Sequence, residues 1–374
     1  MASKEVILPY LFLLIYTKKT AMKRILIALL LSFFHFTSFA AVILQYHHVS
    51  DTTPKSTSIT PEQFEVHLQY LQDNKFNVLP LSEMIDGIKN QQALPDKAVV
   101  ITFDDAYLDL LTQAKPLLDK FGFPYTIFVN PAVISRNDKK ASSHYLSWQQ
   151  LKAMADEGVI IANHGDEHDS LVRLPKGENQ QQWLIKQAEL LLKAEAIIKE
   201  KTGQSWQYFA YPYGEYDVAV QNWLKELDFV GFSQQSGAIG LTTDLTSIPR
   251  FPASMPYDKI SSLRDKLNSL PLAVNLKGDQ AETIFRHKEP KSITFSIESD
   301  DFYQAGLNCY ISGLGKQKII WHDDSSFTIN FTKDLPVGRV RCNCTAASIS
   351  KPGRYYWYSK PWFILKNDGT WYPL

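Results

Sequence analysis

From Ala41 to about Leu270 the chain alternates short apolar runs with longer stretches whose apolar residues recur every three or four positions. The runs AVILQYHHV, AVVITF, YTIFVN, GVIIANH, WQYFAYPYG and FVGFSQ have strand length and strand composition. Between them, PEQFEVHLQYLQDN, LDLLTQAKPLLDKFG, SWQQLKAMADEG, QQWLIKQAELLLKAEAIIKEKTG and DVAVQNWLKELD carry apolar residues at helical spacing. Strands alternating with helices build a parallel sheet covered on both faces. That predicts an α/β fold, most simply a (β/α) barrel, complete or not, over residues 41–270. Polar residues stand just after the strands, at their carboxyl ends, where such folds place active sites.

After Leu270 the pattern changes. NLKGDQAETIFRHKEPK reads as a linker, residues 271–290. Residues 291–374 then carry short alternating runs, SITFSIES, LNCYISG, KQKIIWH, SFTINFT, GRVRCNCT and RYYWYSKPWFIL, separated by Gly, Pro, Asp and Ser turns. This is the pattern of a small antiparallel β-sandwich. Its aromatic cluster, Tyr355, Tyr356, Trp357, Tyr358 and Trp362, suits cross-strand packing better than sugar stacking.

The first 40 residues belong to neither region. MKRILIALLLSFFHFTSFAAV has a basic start, an apolar run and small residues before a cut ahead of Ala41, which is a signal peptide. The segment is complete from Met22, so residues 1–21 read as an over-extended start. The apolar run is short for a span and is broken by His35, Thr37 and Ser38. Export to a periplasmic or secreted location is therefore expected, with no membrane span in the mature chain. The three cysteines agree with an oxidising compartment: Cys309 pairing with Cys342 or Cys344 is favoured over a zinc site, since CNC lacks the usual Cys-x-x-Cys pair.

Composition adds one exclusion. With 39 basic and 39 acidic residues in 374, the chain has formal net charge +0 and no electrostatic case for nucleic acid. It sets no oligomeric state.

The chemistry begins at VVITFDDAYLDL, where a buried-looking strand ends in Asp104 and Asp105. Adjacent buried carboxylates raise each other's pKa unless something positive stands near. GVIIANHGDEHDSL offers a candidate: His164 and His168, four apart, can aim two imidazoles at one point. Two histidines and Asp105 would hold a divalent metal with open positions, and Asp104 beside it would stay ionised as a base. Two other readings stand: a solvated acidic loop, or His164-Gly165-Asp166 as the H-x-D of a non-haem iron site, which suits a jelly roll better than this alternation. In YFAYPYGEYD, Pro212, Tyr213 and Gly214 form a sharp turn whose backbone N–H can face an oxyanion, although alone PYG is only a turn.

TFDDAY, HGDEH and YPYG, in that order and each after a strand, resemble the NodB-homology polysaccharide deacetylases (carbohydrate esterase family 4). The resemblance covers roughly residues 41–270. It implies a distorted (β/α) barrel and metal-dependent removal of acetyl groups from an N-acetylated polysaccharide. It implies Asp104 as general base, and Asp105, His164 and His168 as ligands of Zn2+ or another divalent ion such as Co2+, Ni2+ or Fe2+. The Tyr213 N–H would face the oxyanion.

Three positions depart from the family pattern. Gly165 stands where Ser or Thr is common, no arginine precedes PYG, and no histidine lies between His168 and His287 to serve as the usual late acid. LQYHHVS and FAYPYG are similar to the exported poly-N-acetylglucosamine deacetylases, whose acid histidine comes from the first strand. That implies His47 as the acid, with His48, pointing the opposite way, as second choice. Arg250, in SIPRFPAS, is the candidate to orient Asp104, and a structural salt bridge explains it equally well. Two other functions compete: a glycoside hydrolase, which needs carboxylates about 5–9.5 Å apart across a cleft, and a non-catalytic carbohydrate-binding protein with a decayed site.

Overall fold

In the computed structural model the described residues are 40–374 apart from 139, 141, 142, 176, 277, 299 and 300. The export segment expected over residues 1–40 lies outside them except for Ala40. The described residues form one compact unit.

The first part of this unit contributes β1 (Ala41–Tyr46), β2 (His48–Val49), β3 (Ser58–Ile59), β4 (Asn77–Val78), β5 (Ala98–Asp104), β6 (Thr126–Val129), β7 (Ile160–Asn163), β8 (Tyr208–Ala210), β9 (Val230–Phe232) and β10 (Phe251–Pro252). One parallel sheet runs β10-β1-β5-β6-β7-β8-β9, with β4 on the first half of β5. Helices over Pro61–Asp73, Lys115–Phe121, Trp148–Asp156, Gln180–Thr202 and Val218–Glu226 match the amphipathic stretches. Helices Leu81–Lys89 and Pro131–Asn137 were not read from the sequence.

The pleat sorts the side chains. Val42, Leu44, Tyr46, Val99, Ile101 and Phe103 pack outward against Phe64, Leu68, Leu118 and Leu151 of the helices. Ala41, Ile43, Ala98, Val100, Phe128, Ala162 and Phe232 fill the interior. Between β9 and β10 the wall is irregular: Ile239 exchanges both backbone hydrogen bonds with Ala41, and Gly231 bonds Leu245 and Ile248. The result is a distorted (β/α) barrel.

The second part contributes β11 (Ser269–Pro271), β12 (Val274–Asn275), β13 (Ile284–Arg286), β14 (Ser292–Ile297), β15 (Asn308–Ile311), β16 (Gly315–Lys316), β17 (Ile319–Trp321), β18 (Ser326–Asn330), β19 (Gly338–Ala347) and β20 (Tyr355–Leu365). One sheet runs β11-β20-β19-β15-β16 with β13 also on β20, and the other runs β12-β14-β18-β17. Both contribute to a single core of Phe295, Phe327, Ile329, Cys309, Cys344 and Trp362.

Residues 271–290 correct the linker reading. Within them β12 pairs with β14, and β13 lies parallel to β20, as does β11 just before. Strands of two or three residues are too short to show alternation, so the polar turns around them dominated the pattern. The parallel pairs also depart from the purely antiparallel expectation. Cys309 and Cys344, directly opposite across β15 and β19, form the disulfide, and Cys342 is a buried thiol that burial pushes up to about 12. Of the aromatic cluster, Trp362 is buried and Trp357 packs on Phe251 of the barrel, while Tyr355 is exposed.

Candidate active site

Three strands end in polar residues on the inner side. Ile43 and Gln45 share one face of β1, and His47 follows just past its end in the same alternation; on β5, Thr102 and Asp104 share a face; after β7 comes His164. A regular strand would turn Asp105 away from Asp104. The chain prevents this by leaving β5 through left-handed backbone, φ 71° at Asp105 and 56° at Ala106. His168 (φ 65°) and Tyr213 (φ 60°) are also left-handed, a conformation costly for residues with a Cβ. Such strain persists where surrounding structure enforces it and gathers at functional sites.

The outcome is convergence. Asp105 Oδ1 lies 3.4 Å from His164 Nε2 and 3.5 Å from His168 Nε2, and the two imidazoles stand edge to face at 4.7 Å. Donor atoms of the three residues lie within 4.8 Å of one another. His164 Nδ1–H donates to the Ala210 carbonyl at 2.8 Å, which leaves Nε2 as an acceptor. That nitrogen is buried without a hydrogen-bond partner and faces a carboxylate. An acceptor opposed to an anion in a buried site needs a cation or a proton between them, and one carboxylate with two imidazoles is the donor set of a divalent transition metal. These residues therefore fit such an ion.

Asp104 is fully buried and held on three sides. Arg250 Nη1 donates to Oδ1 at 2.6 Å and Nη2 to Oδ2 at 2.9 Å, while Gln45 Nε2 donates to Oδ2 at 2.7 Å. Arg250, also fully buried, is fixed by its own Nε on the Ser233 carbonyl. Burial pushes the Asp104 carboxyl up, but Arg250, His164 and His47 outweigh it and bring it down to about 2. Asp105 is likewise held below the usual carboxylate range against burial, by its histidine neighbours. Burial, with His164 beside it, pushes His168 down to about 4.

His47 Nε2 stands 3.8 Å from Asp104 Oδ2, with a fifth of its side chain exposed. Burial lowers its pKa, and Asp104 and Asp105 oppose that. His48 turns the other way: its Nδ1 pairs with Asp109 at 2.6 Å and its ring stacks on Tyr107 at 3.6 Å. The Tyr213 turn borders the same site, its ring 4.6 Å from that of His168. Asp104, Asp105, His47, His164, His168, Arg250 and the Tyr213 turn are thus brought together. Gly165 has a local reason: its φ is 81°, where a serine would be strained.

Sequence reasoning missed Gln45. Its signal was present as an inward-facing polar residue, two before His47, in an otherwise apolar run. It also missed Arg339, whose Nη1 reaches from β19 to the Tyr213 carbonyl at 2.9 Å, a contact no local pattern announces.

Comparison with known proteins agrees with this geometry. Residues 91–232 match the family model described as polysaccharide deacetylase. The Bacillus subtilis (strain 168) protein YxkH, designated a polysaccharide deacetylase, is 28% identical over 202 residues, which cover 54% of this chain and 64% of that protein. A poly-β-1,6-N-acetyl-D-glucosamine N-deacetylase of Escherichia coli (strain K12) is 23% identical over 244 residues, 56% of this chain and 36% of the relative. The chain thus spans less than two thirds of the length of either. The solved structure of IcaB from Ammonifex degensii superposes with TM-score 0.53 at 26% identity, covering 61% of this chain and 97% of that one. The stretch that matches the polysaccharide deacetylase family, residues 91–232, holds all three motifs, at the carboxyl ends of β5, β7 and β8.

Proposed function

We propose that this chain is an exported, metal-dependent deacetylase that hydrolyses the acetamide of an N-acetylglucosamine-containing polysaccharide, releasing acetate and leaving the polymer intact. One observation carries the reading: Asp105, His164 and His168 converge beside a buried, ionised Asp104 at the carboxyl end of the barrel. Asp105, His164 and His168 hold the ion, with Zn2+ the first choice and Co2+, Ni2+ or Fe2+ as alternatives. When bound, a divalent ion supplies Lewis-acid polarisation and makes a water more acidic near neutral pH.

The remaining work belongs to side chains. Asp104 accepts the proton of the attacking water, and Arg250 and Gln45 keep it ionised and aimed. A carboxylate offers about four acceptor directions; three are taken here, leaving one free. His47, charged, gives its proton to the departing amine. The Tyr213 N–H faces the negative charge that develops on the acetyl oxygen. His48, paired with Asp109, is a weaker candidate for the acid.

Among the described residues no helix is long and apolar enough to cross a membrane. On this reading the enzyme works in the periplasm or outside the cell, and its partner is an N-acetylated glycan and not a nucleic acid. The polymer named for the E. coli relative is the first substrate to try, followed by peptidoglycan and chitin oligomers. Acetate release without new reducing ends, abolished by chelator and restored by Zn2+ or Co2+, is expected on at least one of the three. New reducing ends would assign a glycoside hydrolase. Metal-loaded protein that binds glycan without releasing acetate would assign a binding protein.

A further inference from the structure

The loop that follows His168 and the turn at Tyr213 meet on one buried carboxylate, Glu215. It takes four donors: Ser170 Oγ and Arg173 Nε on Oε2, both at 2.7 Å, and Arg173 Nη2 at 2.6 Å and the Tyr372 hydroxyl at 2.8 Å on Oε1. Its acceptor capacity is full. Ser170 stands two residues after His168 and Glu215 two after Tyr213, whereas Tyr372 lies beyond β20.

The contact with the C-terminal segment is more than one bond. Arg173 Nη1 also donates to the Tyr372 carbonyl at 2.7 Å, and its guanidinium lies 4.7 Å from the ring centres of Trp371 and Tyr372. The Thr283 hydroxyl donates to the Tyr216 carbonyl, and Arg339 donates to that of Tyr213. The turn so gripped is strained. Tyr213 and Gly214 are left-handed, and a Cβ on Gly214 would come within 2.6 Å of Gln234 Cβ. Backbone of this kind keeps its shape when its surroundings over-determine it. The donors that do so come partly from the β-region, outside the stretch that matches the family model.

We propose that Glu215 and Tyr372 are positioning residues, which lock the Tyr213 turn and the His168 loop to each other so that the β-region completes the catalytic face of the barrel. The proposal rests on the deacetylase reading for its kinetic consequence. Neither residue need touch substrate. Each acts through the backbone placement of Tyr213 and His168, where a displacement of about 1 Å costs on the order of a hundredfold in rate.

Tyr372→Phe removes one donor and keeps the ring over Arg173, so it is the mildest probe. Glu215→Gln removes the charge that Arg173 pairs with. Assayed as the full chain, metal-loaded and well below the melting midpoint, Tyr372→Phe is expected to lose about tenfold in kcat and Glu215→Gln up to about a hundredfold. KM and bound metal should stay near wild type, a split that simple loss of stability would not produce. Should Glu215→Gln fail to fold, Tyr372→Phe decides alone. Wild-type kcat in Tyr372→Phe, or a fall expressed only in KM, overturns the positioning role and leaves the deacetylase reading standing. A spectrum of 15N-glycine-labelled protein tests placement without turnover: the Gly214 amide should move in Tyr372→Phe, and an unmoved resonance overturns the proposal. Metal-loaded wild type that releases no acetate overturns the deacetylase reading instead, and the Gly214 resonance then decides the placement by itself.

Discussion

The barrel and the β-region bury different things. At the carboxyl end of the barrel the interior holds Asp104, Arg250, Gln45 and His164, all nearly or fully inaccessible, with Asp105 and two further histidines at the rim. The core between the two β-sheets holds Phe295, Phe327, Ile329, Trp362 and a disulfide. Transferring charge from water is costly and is offset in the barrel only by pairing, whereas apolar burial and a cross-link stabilise outright. A region that buries paired charge at one end is organised for chemistry. A region with an apolar, cross-linked core is organised for rigidity, and here it grips the chemical region at Tyr213 and Glu215.

The contrast can be pressed from its strongest point downward. His164→Ala should abolish acetate release and bound metal together, because His164 is the most buried of the three side chains and its Nε2 has no hydrogen-bond partner. Metal analysis and an acetate assay check it, and a fully metallated, active variant would remove the site from the barrel. Arg250→Leu should cost about 3–5 kcal/mol in denaturant unfolding, since it strands the buried Asp104 carboxylate, and should also depress activity. In the β-region, Cys309→Ser opens a cross-link spanning 35 residues. It should lower stability by about 3–4 kcal/mol on the chain-entropy account, yet leave kcat at low temperature unchanged. Equal effects of the two variants on kcat would erase the distinction.

Acid titration separates the regions by the shape of the stability curve. The Asp104 pKa is lower in the folded protein than in the unfolded chain, so its contribution is present above about pH 4 and is lost as pH falls toward about 2. That contribution is about 2 kcal/mol. Asp104→Asn should therefore flatten the acid limb of the stability curve in chelator-treated protein, while Cys309→Ser should shift the curve without changing its shape. The smallest effect is expected at Gly165→Ser, about 1 kcal/mol for a left-handed Cβ, with metal retained.

How much of this was legible in the sequence follows from the range of each interaction. The motif residues sit on strands whose periodicity is plain, so TFDDAY, HGDEH and YPYG placed Asp105, His164, His168 and Tyr213 at one end of the barrel before any coordinates. The choice of His47 over His48 came from the family resemblance, the pleat saying only that the two point opposite ways. Gln45 was readable from that pleat and was overlooked. The convergence of Asp105 on Asp104's side was not readable, because it depends on a left-handed turn at a residue that does not usually adopt one. The short strands at 269–271, 274–275 and 284–286 have no period to detect. The clamp of Tyr372 on Glu215 joins residues 157 apart in sequence, and only the fold brings them together.

The central claim is that one aspartate of the adjacent pair serves a cation while the other moves a proton, and Asp104→Asn tests it most directly. Purified variant and wild type should carry the same metal per chain, while acetate release from N-acetylglucosamine polymer falls about 10²–10⁴-fold in the variant. Turnover at the wild-type rate, or loss of the metal with the charge, would contradict that division of labour.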